Sequence, residues 1–212
     1  MDMDGVGQEK KDGLIARWMT MCLITGHYQN SPDSVVMKDY KEIREAGMEN
    51  YLKQLEDLRL NTPFFEEILP EKFSAATSRT APVAAQSYFG IPSLYSKEEK
   101  LSTLYAGRTE SYQLLPKAYL EKCGFKTREI YGQAANITYL SREIKKLVKK
   151  KSPAEYKEEI LEKLSEEEIR QSLADNDVPE IIFQADEENV QEILACRRKA
   201  MAQKIKKYYD SL

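Results

Sequence analysis

Residues 152–173 read SPAEYKEEILEKLSEEEIRQSL, and this stretch contains two helix-start signals in succession. In the first, Ser152 precedes a proline and stands three residues before Glu155, which is the pattern of a capping box. In the second, Ser165 stands three residues before Glu168. Apolar residues follow the first signal at intervals of four, as on one face of an α-helix: Tyr156, Ile160 and Leu164. The stretch therefore predicts two consecutive helices.

The rest of the chain extends this helical pattern. Capping signals and amphipathic spacing predict further helices at residues 13–25, 34–60, 96–107, 110–122 and after Asp186. The helix over 34–60 must cross Gly47, where a bend is expected because glycine costs about 1 kcal/mol relative to alanine in a helix interior. The apolar run 178–185 fits either a strand or a helical turn. With 32% charged residues and only 9 glycines and 8 prolines in 212 residues, the sequence predicts an all-α, multi-helix fold resembling a bundle.

The helices are expected to form two lobes. Residues 1–73 form an N-terminal helical lobe, with residues 1–12 expected to be frayed, and residues 96–212 form a C-terminal helical domain. A long connecting segment rich in Ala, Pro and aromatic residues, 74–95, joins them and carries one charged residue, Arg79. A structureless loop of that length is uncommon, so the segment is expected to dock on the fold or on a partner. The residues predicted to make that protein interface are Tyr88, Phe89, Ile91, Leu94 and Tyr95.

Charge is distributed in blocks, although the formal net charge is only −3. Residues 117–151 hold ten basic and three acidic residues, a net of +7. Residues 152–192 hold three basic and fourteen acidic residues, a net of −11, and residues 193–212 hold six basic and one acidic, a net of +5. One interpretation is that basic and acidic helix faces pack against each other within the molecule. The other is that the blocks attract external partners, either oppositely charged proteins or nucleic acid.

The densest basic cluster, at residues 142–151, is the candidate nucleic-acid contact. Residues 127–147 (TREIYGQAANITYLSREIKKL) resemble a helix-turn-helix whose second helix would begin at Thr138. Tyr131 would stand where the two helices need a small residue, so a single amphipathic helix is the favoured interpretation. In either case helical spacing would place cations on one face, where they can neutralise phosphates. The predicted contacts are Arg142, Lys145, Lys146 and Lys149, with Lys150 next to them.

A second basic cluster begins at Arg197 and ends in the pair Tyr208-Tyr209. Basic residues interleaved with aromatic ones are typical of proteins that bind single-stranded nucleic acid. The same composition is typical of an exposed last turn of a helix. The cluster therefore leaves both interpretations open.

The sequence lacks the common patterns of catalysis. A single histidine, His27, excludes a two-histidine metal site within the chain, and its position in a polar loop predicts an ordinary surface residue. No glycine-rich phosphate loop and no nucleophile elbow is present. The three cysteines, Cys22, Cys123 and Cys196, form no CxxC pair and are typical of a reducing compartment. We therefore expect no enzymatic activity, cofactor, metal or small-molecule substrate.

No stretch of the sequence predicts a membrane span. The longest apolar run, from Leu14 to Thr25, is interrupted by Arg17 and is shorter than the roughly 20 residues that a transmembrane helix needs. It also lacks the small-residue cleavage site of a signal peptide. We expect no membrane contact and a cytoplasmic location.

Two functions are compatible with these features. The first is a non-enzymatic protein-interaction protein, namely an adaptor, assembly or structural component, which acts through its helix faces and residues 74–95. It would associate with a protein partner or with itself. The alternative is a nucleic-acid-binding module that uses the basic helix face at residues 142–151.

Overall fold

The computed structural model describes residues 7–107 and 110–212. Within that part of the chain, twelve α-helices and one two-stranded sheet form the fold, which confirms the predicted all-α class. The helices are α1 (Gln8–Thr25), α2 (Pro32–Ala46), α3 (Met48–Arg59), α4 (Leu69–Lys72), α5 (Thr80–Tyr88), α6 (Leu101–Ala106), α7 (Lys117–Lys122), α8 (Arg128–Tyr131), α9 (Arg142–Val148), α10 (Pro153–Leu161), α11 (Glu166–Asp175) and α12 (Val190–Asp210). The strands are β1 (Ser111–Gln113) and β2 (Ile137–Tyr139). A π-helical turn covers Phe64–Ile68, and 3-10 turns cover Ala134–Asn136 and Glu180–Gln184.

The last helix, α12, lies at the centre of the core. It packs against α5, α4, the π-helical turn and the 3-10 turn at Ala134–Asn136. Its buried residues recur every three or four positions, so that one broad face is withdrawn from water: Val190, Ile193, Leu194, Arg197, Met201, Ala202, Ile205, Tyr208 and Tyr209. The sequence predicted the start of this helix at Asp186, and the helix begins at Val190. The carboxylate of Asp186 accepts hydrogen bonds from the backbone N–H groups of Glu188 and Asn189, just before the helix begins.

The predicted N-terminal lobe contributes to the main core. Ile24, Phe65 and Phe73 belong to the same buried cluster as residues of α10, α11 and α12. A smaller cluster joins α1 to α3, and it includes Tyr209 from the end of α12. The two predicted lobes therefore share one core.

The connecting segment 74–95 contains a helix, α5, that was not predicted from the sequence. Its buried positions carry small side chains such as Ala81 and Ala85, which let α5 approach α12 closely. The near absence of charge in this segment is explained by burial, because an unpaired charge facing the core would be costly. Part of the segment therefore docks on the protein's own fold.

Two of the local helix signals are confirmed, whereas the helix predicted at 96–107 begins only at Leu101. Ser152 with Glu155 and Ser165 with Glu168 both form complete capping boxes. The predicted bend at Gly47 is a break, because Gly47 adopts φ 82° and ψ 154° and separates α2 from α3. The first helix begins at Gln8, so residues 8–12 are helical where fraying was predicted; residues 1–6 lie outside the described part.

Both interpretations of residues 127–147 are wrong. The stretch forms α8, a 3-10 turn, β2 and the first part of α9, so neither a helix-turn-helix nor one continuous helix exists there. Strand β2 pairs antiparallel with β1, with Tyr112 opposite Thr138. Strand β1 in turn replaces the first part of the helix predicted at 110–122. The β-branched residues Ile137 and Thr138 favour a strand, and the buried Asn136 ends the helical path by bonding to the backbone of Leu115.

The apolar run 178–185 is helical rather than extended. It forms the 3-10 turn Glu180–Gln184, with Ile182 and Phe183 buried against the core.

In the described residues no helix is both long enough and apolar enough to cross a membrane.

Arg197 is a charged residue in the middle of this core, with 3% of its surface exposed. Its guanidinium donates hydrogen bonds to the carbonyl oxygens of Ala135 (2.6 Å) and Ile137 (3.0 Å). Burial lowers the pKa of Arg197 to about 10, so the side chain stays charged at neutral pH. The residue therefore ties α12 to the backbone between the 3-10 turn and β2.

We expect Arg197→Met to lower the free energy of unfolding by about 2–4 kcal/mol, because two buried carbonyl groups lose a charged donor. Denaturation by urea measures the change. Lys199→Met is the control on an exposed position of the same helix, and it should shift the free energy by less than about 0.5 kcal/mol. A stabilising effect of Arg197→Met, as in some proteins whose buried charges were replaced by apolar side chains, would contradict the assigned role.

Candidate anion-binding cleft

A cleft of about 630 Å³ opens between β1, α7, α8 and the turn that follows α9. Five of its lining residues are cationic and one is acidic. The cations are Arg79, Lys117, Arg128, Lys149 and Lys150, and the acid is Glu121. The aromatic rings of Tyr112 and Tyr131 also line it. We refer to this site as the basic cleft.

One wall of the basic cleft is the turn after α9. The helix ends at Val148, and Lys149 adopts a positive φ of 43°, which turns the chain away from the helix axis. The hydroxyl of Tyr112 on β1 donates a hydrogen bond of 2.7 Å to the carbonyl oxygen of Lys149. Burial raises the pKa of Tyr112, so this phenol stays protonated and keeps donating. The contact holds Lys149 and Lys150 at the cleft.

The opposite wall is held by two side-chain amides. Gln113 donates to the carbonyl oxygen of Tyr131 (2.9 Å) and accepts from the backbone N–H of Lys117 (3.0 Å). Asn136 donates to the same Tyr131 carbonyl at 3.0 Å. Gly132 follows, where a Cβ atom would lie 2.7 Å from the carbonyl oxygen of Arg128, so any other residue would force the backbone to move. Backbone contacts therefore set the spacing of α7 and α8.

Most of the cations in the cleft have no acidic partner in the described residues. Lys117 lies 3.6 Å from Glu121, whereas Arg79, Arg128, Lys149 and Lys150 form no ion pair there. The Nε atom of Arg79 is also buried without a hydrogen-bond partner in that part of the chain. A buried guanidinium nitrogen without an acceptor is unfavourable. A bound anion would supply the missing negative charge.

Two of the predicted nucleic-acid contacts lie in this cleft, Lys149 and Lys150. The predicted common helix face does not form as expected, since α9 ends before Lys149. Lys145 is half-buried and donates to the carbonyl oxygen of Glu110 at 2.9 Å. Arg142 and Lys146 are exposed on α9 and do not line the cleft.

Sequence reasoning missed Arg79, Lys117 and Arg128 as site residues. Arg79 carried a usable signal, because it is the only charge in residues 74–95. Lys117 and Arg128 had no such signal, since each stands among other charged residues in a basic block. Their proximity depends on the packing of α7, α8 and the β1–β2 pair.

The predicted protein interface is divided between surface and core. Tyr88 and Phe89 are 53% and 44% exposed and contact each other edge to face, with ring centroids 5.3 Å apart. Ile91 is half-buried. Leu94 and Tyr95 lie in the core, with 0% and 3% exposed, and so do not form a surface. The interaction role of the remaining residues stays a prediction.

The C-terminal basic cluster is not an alternating surface of cations and aromatic rings. Arg197 and the pair Tyr208-Tyr209 are buried. Lys204 makes an ion pair of 2.8 Å with the buried Asp177. These contacts stabilise the core, and the helical spacing explains why they resembled a binding surface in the sequence.

The expectation of a surface position for His27 is wrong. Its side chain is 3% exposed and lies among α1, α2 and α3. Arg59 donates to Nδ1 at 2.8 Å, which leaves Nε2 to donate to the carboxylate of Asp39, also at 2.8 Å. The hydroxyl of Tyr51 donates to the same carboxylate at 2.8 Å. Asp39 is the one buried residue of α2, so this network attaches α2 to the rest of the protein.

The His27 network resembles a catalytic pair only in composition. The carboxylate of Asp39 already accepts from His27 and Tyr51, and burial raises the pKa of the nearby Cys22 to about 12, so its thiol stays protonated and poorly nucleophilic. Among the described residues, no group of three His, Cys, Asp or Glu side chains is arranged to hold a metal ion. The geometry therefore favours a structural role for this network.

We expect Asp39→Ala to lower the free energy of unfolding by about 2–4 kcal/mol, because His27 and Tyr51 lose a buried acceptor. Thermal and urea denaturation measure the loss. The matched control is Lys38→Ala, at the adjacent exposed position, for which a change below about 0.5 kcal/mol is expected. Equal effects of the two substitutions would show that the network does not attach α2.

Comparison with known proteins adds one relative. The chain is 25% identical over 171 residues to an uncharacterised protein of Methanocaldococcus jannaschii, and the match covers 79% of this chain and 29% of that protein. The chain thus spans less than a third of the length of that relative. No family model matches the chain. No solved structure matches it either.

Proposed function

We propose that the protein binds nucleic acid through the basic cleft. The observation that carries the proposal is the charge of the lining, with five cations around one carboxylate, Glu121. A nucleic acid is a polyanion, and neutralising its phosphates releases condensed counterions, which favours binding. The site differs from the face predicted on the sequence, which placed all the contacts on one helix.

Internal ion pairing explains only part of the basic block 117–151. In the described residues Lys151 pairs with Glu159 and Glu143 with Lys163, which are the direct links between this block and the acidic block 152–192. Arg128, Lys149 and Lys150 make no such pair there. Concentrating unpaired like charges in a cleft opposes folding. An external anion that binds there therefore explains their arrangement better than internal ion pairing does.

The rigidity of the cleft supports binding rather than a loose surface attraction. Tyr112 fixes the turn at Lys149, while Gln113 and Asn136 fix the backbone at Tyr131. A site whose walls are held by the fold loses less conformational entropy when its ligand binds. The two arginines, Arg79 and Arg128, also offer the forked donor geometry that suits phosphate oxygens.

The compartment proposed for this function is the cytoplasm. All three cysteines are free thiols, and Cys196 is exposed. Free exposed thiols are typical of a reducing environment.

The double substitution Arg128→Glu with Lys150→Glu should weaken binding of nucleic acid by more than about tenfold, because two phosphate-binding cations become anions. Both residues are exposed, so the fold should persist. Fluorescence anisotropy with a labelled oligonucleotide at several salt concentrations measures affinity. The slope of log affinity against log salt should also become shallower.

Two matched variants carry the same change of net charge at other exposed positions. Lys199→Glu with Lys207→Glu should alter affinity by less than about twofold, as expected for charges outside the site. Arg142→Glu with Lys146→Glu tests the outer face of α9. If this last variant alone loses binding, or if all three lose it equally, the cleft is not the binding site.

A further inference from the structure

Tyr131 gives the basic cleft an aromatic face. The Nζ atom of Lys117 lies 5.1 Å from the centroid of the Tyr131 ring, and both residues line the cleft, so the ring presents a face to it. Tyr131 also packs against the main core, which holds the ring in place. Lys117 is exposed, and its acidic contact to Glu121 is 3.6 Å long. A flexible cation over an aromatic face is readily replaced by another group that stacks.

Resting on the proposed function, we infer that the ligand is a single strand of nucleic acid, which stacks one base on Tyr131 while its phosphates contact Arg79 and Arg128. Aromatic side chains beside a positively charged groove are the usual means of binding single strands. Displacement of Lys117 from the ring would free its ammonium group for a neighbouring phosphate. Stacking and charge neutralisation would then occur together.

The dimensions of the cleft favour a single strand over a duplex. Its volume of about 630 Å³ falls in the range of about 300–1,000 Å³ that is typical of sites for small ligands. Such a space admits a nucleotide or two but not a base-paired helix, whose bases are stacked inside and whose phosphates lie on a convex surface.

The test compares three probes on the unmodified protein. They are a labelled single strand of about 12 nucleotides, within the usual range of site sizes, an abasic strand of the same length, and a hairpin duplex with the same number of phosphates. We expect the single strand to bind about tenfold more tightly than either of the others, since loss of one stacked base is worth about that factor. The comparison with the abasic strand uses the unmodified protein, so its result does not depend on the folding of any variant.

Two substitutions locate the stacking residue. Tyr131→Leu should lower affinity for the single strand about tenfold and leave affinity for the abasic strand unchanged. Tyr131→Phe keeps the aromatic ring and should bind as the unmodified protein does. If Tyr131→Leu has no effect in a variant with normal thermal stability, Tyr131 is not a stacking platform and the inference is wrong.

Failure of this inference can be told apart from failure of the proposed function. If duplex and single strand bind equally, and the Arg128→Glu, Lys150→Glu variant binds neither, the proposed nucleic-acid binding is supported and the inference of single-strand recognition is wrong. If none of the three probes binds the unmodified protein, both the proposed function and the inference are wrong. If a free mononucleotide competes at the same concentration as the strand, the site is specific for a nucleotide and the inference is overturned.

Discussion

The buried guanidinium of Arg197 links the central helix α12 to the backbone that forms one side of the basic cleft. It binds the carbonyl oxygens of Ala135 and Ile137, on either side of Asn136. Asn136 in turn binds the backbone of Leu115 and the carbonyl oxygen of Tyr131. Each of these contacts fixes main-chain atoms. The positions of α7, α8 and the β1–β2 pair, and therefore the width of the cleft, depend on a charge at the centre of the protein.

The cations of the cleft come from segments that are distant in the sequence. Arg79 precedes α5, Lys117 and Arg128 begin α7 and α8, and Lys149 follows α9. Their mutual repulsion opposes folding, so the surrounding core must offset it. Such a local conflict between charge and packing is expected at a functional site and is unusual elsewhere. The acidic block 152–192 does not remove the conflict, because its direct pairs with the basic block involve residues outside the cleft.

The sequence predicted the features whose causes are local. The capping box of Ser152 and Glu155 lies within four residues, and the fold confirms it. Residues 127–147 could not be predicted in the same way, because their apolar spacing matched a helix while the contact that interrupts it joins Asn136 to Leu115, 21 residues earlier. His27 was misplaced for a related reason, since its buried partner Asp39 belongs to the next helix. Of the residues that line the cleft, the sequence predicted only Lys149 and Lys150 as binding residues.

Photochemical cross-linking tests most directly whether a strand occupies the basic cleft. An oligonucleotide that carries a photoreactive pyrimidine would be irradiated with the protein, and the modified peptides identified by mass spectrometry. If a strand occupies the basic cleft, we expect modification in the peptide that contains Tyr131, with loss of the product in the Arg128→Glu, Lys150→Glu variant. Cross-links confined to the outer face of α9 at Arg142 and Lys146, or to the end of α12, would contradict binding in the cleft.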